Sequence, residues 1–118
     1  MKKIYHLKSC STNVRILKEI NLSGVELQNI KEENIDEESL SFLKSKVGSF
    51  EALFSKKAMK FRSLGLNKIE LNEADYKRLI LEEYTFLKRP FMINEEEVFI
   101  GNSKDVVEKA ITSFGSNK

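Results

Sequence analysis

The sequence contains one cysteine, one histidine, one proline and no tryptophan. A lone cysteine excludes an internal disulfide, and one cysteine with one histidine cannot build a zinc site. No apolar run approaches the roughly 20 residues that span a bilayer. The opening "MKKIYHLKSC" has early lysines but no long apolar segment behind them, so it does not read as a secretory signal. Neither a glycine-rich phosphate loop nor a dinucleotide fingerprint is present. Neither sign of charge dominates: 20 Lys and Arg against 18 Asp and Glu leave +2. That balance gives no strong pull toward nucleic acid or a membrane surface. The expectation is a cytoplasmic protein in a reducing compartment, with no membrane partner and no direct nucleic-acid contact.

Repeats, low-complexity segments and linkers are also missing. At 118 residues, with 41% apolar and 32% charged content, the chain suits one domain, 1–118, around one core. The segment Lys3–Leu7 is apolar-rich and reads as a buried strand. "KSCSTN" follows as a turn with Ser9, Ser11 and Thr12 as candidate helix caps. From Asn13, Val14, Leu17 and Ile20 recur at helical spacing, and Gly24 closes that region. Val25–Ile30 alternates and reads as a second strand. Asp36 opens a helix carrying Leu40, Leu43 and Val47, which stops at Gly48.

The middle of the chain, "SFEALFSKKAMKFRSLGL", reads as mixed helix and loop with a basic cluster of Lys56, Lys57, Lys60 and Arg62. That cluster reads first as a solvated face. Asn72 caps a helix with Tyr76, Leu79, Ile80 and Tyr84 on one side. Phe91–Ile93 and Val98–Ile100 read as strands joined by the acidic turn "NEEE". Ser103 opens a terminal helix bearing Val106, Val107, Ala110, Ile111 and Phe114. The order is β-α-β-α-(α)-α-β-β-α. Its first two strands are joined by a helix long enough for a parallel crossover, and its last two by a tight antiparallel turn. A mixed four-stranded sheet flanked by helices follows, an α/β arrangement. A first strand running into a cysteine at a helix start is the arrangement of the thioredoxin-like fold.

The chemistry centres on Cys10. A free cysteine, with pKa about 8.5, is only a few per cent thiolate at neutral pH. A helix N-terminus, with its partial positive charge and unpaired N–H groups, favours the anion. The N–H groups of Ser11, Thr12 and Asn13 can also cradle an oxyanion beside the sulfur. His6, four residues earlier, adds positive charge if protonated and turned toward the loop; packed in its strand it is a structural histidine. Arg89 precedes the only proline. Its guanidinium is a fork-shaped donor for oxyanions, and Pro90 is either an edge-strand starter or a cis residue. A Cys-His-Asp hydrolase is poorly supported, because His6 shares its strand and loop with Cys10 and no acid stands behind it.

"IYHLKSC" followed by a helix, "FRSLGL" in mid-chain, and "FLKRPFMI", "VFIG" and "DVVEKAI" at the end resemble the arsenate reductase (ArsC)/Spx family in order and spacing. The resemblance runs along nearly the whole chain and implies a thioredoxin-like fold with a helical insertion. It implies that Cys10 is catalytic, that His6 helps stabilise the thiolate, and that Arg89 and a cis Pro90 lie beside the active site. The family's arsenate reductases clamp the oxyanion with further arginines. Here Glu51 stands near one such position, and "EEEVFIG" supplies only acids and apolar groups at another. The arginine often found four residues after the cysteine is Val14, with Arg15 one step on. Each charged hydrogen bond lost weakens anion binding by about 1.5–3 kcal/mol. Spx-type members carry Cys-x-x-Cys, but the fourth position here is Asn13, so an internal disulfide switch is excluded.

The first expectation is an arsenate reductase-like thiol oxidoreductase acting on a small oxyanion or thiol substrate. Cys10, Arg89 and His6 are its catalytic residues, with Ser11, Thr12, Asn13 and Pro90 forming the substrate site. It binds no cofactor or metal. Without a second cysteine, Cys10 is resolved by an external thiol, glutathione or glutaredoxin. The alternative is a non-enzymatic, Spx-like regulator that binds RNA polymerase through the Lys56–Arg62 region. A third is a relative acting on another small anion or a glutathione conjugate.

Overall fold

The structure, a computed structural model, describes residues 1–117. The chain divides into two compact units: Met1–Glu33 with the chain from Arg89 onward, and Asn34–Lys88.

In the first unit, β1 (Lys2–His6) places Ile4 and Tyr5 on opposite faces, and both are buried. β1 pairs in parallel with β2 (Glu26–Asn29), with Lys3 opposite Glu26. A parallel pair needs a crossover, and α1 (Ser11–Glu19) lies within it. β1 also pairs antiparallel with β3 (Phe91–Asn94), with Tyr5 opposite Phe91. β3 then pairs antiparallel with β4 (Glu97–Ile100), giving the order β2-β1-β3-β4. This is the mixed four-stranded sheet expected from the sequence. α1 and α5 (Lys104–Phe114) pack around Ile4 and Met92, through Ile16, Ile20, Ala110 and Phe114. Burying each of the isoleucine, methionine and phenylalanine side chains contributes roughly 1.5–3 kcal/mol.

Several boundaries differ from the sequence reading, for local reasons. β1 ends at His6 because the Leu7 N–H donates to the Asn13 side chain, not to a neighbouring strand. α1 begins at Ser11, two residues before the expected start, with Cys10 in the N-cap position. Ser9, Ser11 and Thr12 therefore do not cap it. The buried face of α1 runs through Asn13 and Ile16 toward the buried C-cap residue Ile20, whereas Val14 is 38% exposed. At 3.6 residues per turn, Val14 stands about 100° round from Asn13, off that face. In the hairpin, Asn94 pairs with Glu97, leaving Glu95 and Glu96 as the turn. Glu95 takes φ +54°, and its carboxylate accepts from the Met1 amino group at 2.6 Å.

The second unit is helical. In α2 (Glu37–Val47) the Asp36 carboxylate accepts from the Ser39 N–H at 2.7 Å, and Gly48 ends the helix in the left-handed region. α3 (Met59–Ser63) is a short helix set between 3-10 turns at Glu51–Leu53 and Leu66–Lys68. α4 (Glu73–Glu82) starts with a reciprocal capping box between Asn72 and Asp75. It stops before Tyr84, which lies in a 3-10 turn because the Glu83 carboxylate takes the Thr85 N–H. Phe54 stacks on Phe86 at 4.8 Å and meets Tyr76 edge-on at 5.0 Å. The four residues of the basic cluster are exposed. Lys56 pairs with Glu51 at 2.6 Å, and Lys60 pairs with Glu83. No helix among the described residues is long and apolar enough to cross a membrane.

Candidate active site

The turn after β1 builds the site. The Cys10 N–H donates to the Leu7 carbonyl at 3.0 Å, closing a tight turn through Lys8 and Ser9. The Cys10 carbonyl then accepts the Val14 N–H at 3.0 Å, the first bond of α1. The chain enters the helix with Cys10 extended, at φ −90° and ψ 114°, and its thiol caps no backbone group. Cys10 is a free, partly exposed thiol. The N–H groups of Ser11, Thr12 and Asn13 have no acceptor among the described residues. Partial positive charge therefore collects beside the sulfur.

Asn13 joins the parts of this turn. It is fully buried, at 0% exposure. Its Oδ1 accepts from the Leu7 N–H at 2.9 Å, and its Nδ2 donates to Cys10 Sγ at 3.5 Å. The end of β2 braces the same turn: Asn29 Oδ1 accepts the Lys8 N–H at 3.2 Å, and the Ile30 N–H donates to the His6 carbonyl at 2.9 Å.

His6 is half-buried. Burial pushes its ring pKa below the ordinary histidine value of 6.5, against the attraction of Glu32 and with some help from Lys8. That shift favours the neutral ring, which works against a positive charge beside Cys10. No hydrogen bond joins His6 to Cys10 among the described residues.

Arg89 and Pro90 belong to the same unit as Cys10. Their peptide bond is cis, and the Pro90 carbonyl accepts the Gly101 N–H at 2.9 Å. Pro90 is buried and Arg89 half-buried. Since Phe91 pairs with Tyr5, the Arg89–Pro90 segment enters the sheet at the end where β1 leaves it. His6, Cys10, Ser11, Thr12, Asn13, Arg89 and Pro90 thus gather at one end of the sheet. Glu51 lies in the helical unit, where a hydrogen bond from Lys56 holds its carboxyl below the usual range. Arg15 is exposed on α1 and has no partner among the described residues. No cluster of three or more metal-ligating side chains exists among the described residues.

The side-chain role of Asn13 was missed by sequence reasoning, which credited only its backbone N–H. The available signal was a polar residue on the helix side shared by Ile16 and Ile20.

Solved structures share this architecture. The protein YFFB superposes with a TM-score of 0.79 at 20% identity, covering 98% of this chain and 100% of its own. The arsenate reductase from Vibrio cholerae gives 0.74 at 18% identity, over 95% of this chain and 96% of that one. An arsenate reductase (ArsC) related protein from Brucella melitensis gives 0.66 at 23% identity, over 92% of each chain. These likenesses establish the fold as the thioredoxin-like, mixed-sheet one. No curated protein matches the sequence. The family model that does match is described as the ArsC family and spans residues 5–110. With the cysteine turn, the Arg-Pro segment and most of the sheet inside that span, the chain belongs to the ArsC family.

Proposed function

We propose that the protein is an arsenate reductase-like thiol oxidoreductase with Cys10 as its nucleophile. The observation that carries this reading is the placement of the free Cys10 thiol at the N-terminus of α1, beside three unpaired N–H groups. The Cys10 thiolate attacks the arsenic of arsenate, forming an S–As bond as an oxygen leaves as water. An external thiol such as glutathione then attacks Cys10 Sγ. The S–As bond breaks, its electron pair stays on arsenic, and arsenite departs. Two electrons have passed to arsenic, and the two sulfurs are joined as a mixed disulfide. A second external thiol, on glutathione or glutaredoxin, reduces that disulfide and frees Cys10. The N–H groups of Ser11, Thr12 and Asn13 cradle the oxyanion, Arg89 supplies a charged donor, and Pro90 shapes the wall. The absent arginine clamps make this a weak oxyanion site, and another small anion fits the same chemistry. The setting is a reducing, cytoplasmic one. Replacing Cys10 with serine tests the reading: turnover disappears if Cys10 is the nucleophile and persists if it is not.

A second reading, a regulator that binds RNA polymerase, draws on the exposed Lys57 and Arg62, which have no partner among the described residues. Met59 stands between them at 89% exposure. Stable co-purification of polymerase from cell extract supports it, and clean recovery of the protein alone counts against it.

A further inference from the structure

The sulfur of Cys10 is touched by one buried polar side chain, and that contact has a chemistry of its own. Asn13 shares the buried face of α1 with Ile16, and it is 0% exposed. A buried carboxamide is costly unless both of its ends are satisfied. Both ends of Asn13 bond to the cysteine turn: Oδ1 accepts from the Leu7 N–H, and Nδ2 donates to Cys10 Sγ.

We infer that Asn13 is a positioning residue whose side-chain amide donates to the Cys10 sulfur and makes it the favoured leaving group when its mixed disulfide is resolved; this rests on the thiol chemistry proposed above. A neutral N–H donor binds the anion more strongly than the thiol, because hydrogen bonds to ionised groups are about twice as strong as neutral ones. Unlike His6, the amide keeps its donor at every pH. Resolution follows the same logic. An incoming thiolate attacks the glutathione sulfur of the mixed disulfide, a new S–S bond forms between the two small thiols, and the electron pair of the old bond leaves on Cys10 Sγ. Stabilising that departing anion speeds the step. The residue three positions after the cysteine thereby assists the release of Cys10 without a second thiol.

Two measurements test this on the full chain without any oxyanion present, so failure of arsenate turnover and failure of this inference are separable. In the first, Cys10 alkylation by iodoacetamide is timed at pH 6 and pH 10 for the wild type and for Asn13→Ala. The expected result is about a tenfold loss of rate at pH 6 with the pH 10 rate within about twofold, because a donor to the sulfur anion matters least where base itself supplies that anion. A merely structural Asn13 would move both rates together or neither, and that outcome overturns the inference. The second measurement keeps the wild-type chain in case the variant does not fold. In ¹⁵N-labelled protein, an Asn13 side-chain amide proton moves downfield as Cys10 ionises, and the same resonance stays fixed in Cys10→Ser. A resonance that ignores the ionisation of Cys10 overturns the inference.

Discussion

Tyr5 of β1 stands directly opposite Phe91 of β3 in an antiparallel pair. That register places the turn after β1 and the Arg89–Pro90 segment before β3 at the same end of the sheet. Cys10, the proposed nucleophile, and Arg89, its candidate anion partner, are nearly eighty residues apart in sequence, and strand pairing brings them to one end of the sheet.

Arg89 is expected to act on the anion and not on the sulfur. Arg89→Ala should lower kcat/KM for an oxyanion substrate by about ten- to a hundredfold, the equivalent of one charged hydrogen bond. It should leave alkylation of Cys10 by the neutral reagent iodoacetamide nearly unchanged. Comparing the two rates in the same variant checks this, and equal losses in both would place Arg89 on the thiol instead.

His6 should make the protein less stable in mild acid. Burial lowers its folded-state pKa below 6.5, so the folded protein prefers the neutral ring. The unfolded chain takes up a proton first as pH falls. The stability this group contributes is whole above the unfolded pKa, and it is lost as pH falls from there through the lower folded value. Melting curves from pH 7.5 to pH 5 should show a steeper decline for the wild type than for His6→Gln. Parallel declines would mean that His6 titrates alike in both states.

Asn13→Cys should turn the single thiol into an oxidisable pair. The Asn13 side chain already reaches the sulfur, with Nδ2 at 3.5 Å from Sγ. A thiol at that position is expected to come within range of Cys10 across the first turn of α1. Mild oxidation should produce an internal disulfide, seen by mass spectrometry as the loss of two hydrogens and of both alkylation sites. Two thiols that remain free, or that link separate molecules, would show that the first turn of α1 keeps them apart.

Much of the fold was legible in the sequence because it depends on patterns within short windows. Asp36 with Gly48, Asn72 with Asp75, and Ser103 announce helix ends through side chains one turn from their backbone partners. The apolar runs gave the succession of strands and helices and the antiparallel hairpin, but not the order of the strands within the sheet. The start of α1 escaped because it is decided by Asn13 reaching back to Leu7, a polar contact that leaves no apolar period. Val14 entered the expected stripe for the same reason: spacing from Leu17 and Ile20 was satisfied, yet the turn commits Asn13 to the buried side. The placement of Cys10 at a helix start and of Arg89 and Pro90 at the head of a strand was legible from residue type and order. The charge state of His6 was not, since it depends on burial and on Glu32, which lies beyond β2 in sequence.

Cys10 carries the central claim, and arsenate-dependent oxidation of glutathione is the measurement that addresses it most directly. Arsenite formation is followed in the presence of glutathione and glutaredoxin, with the wild type beside Cys10→Ser. The expected result is slow but catalytic arsenite production by the wild type and none above background by Cys10→Ser, with a glutathione adduct on Cys10 trapped during turnover. Equal production by both proteins, or a Cys10 that never forms the adduct while arsenite accumulates, would contradict the proposed chemistry.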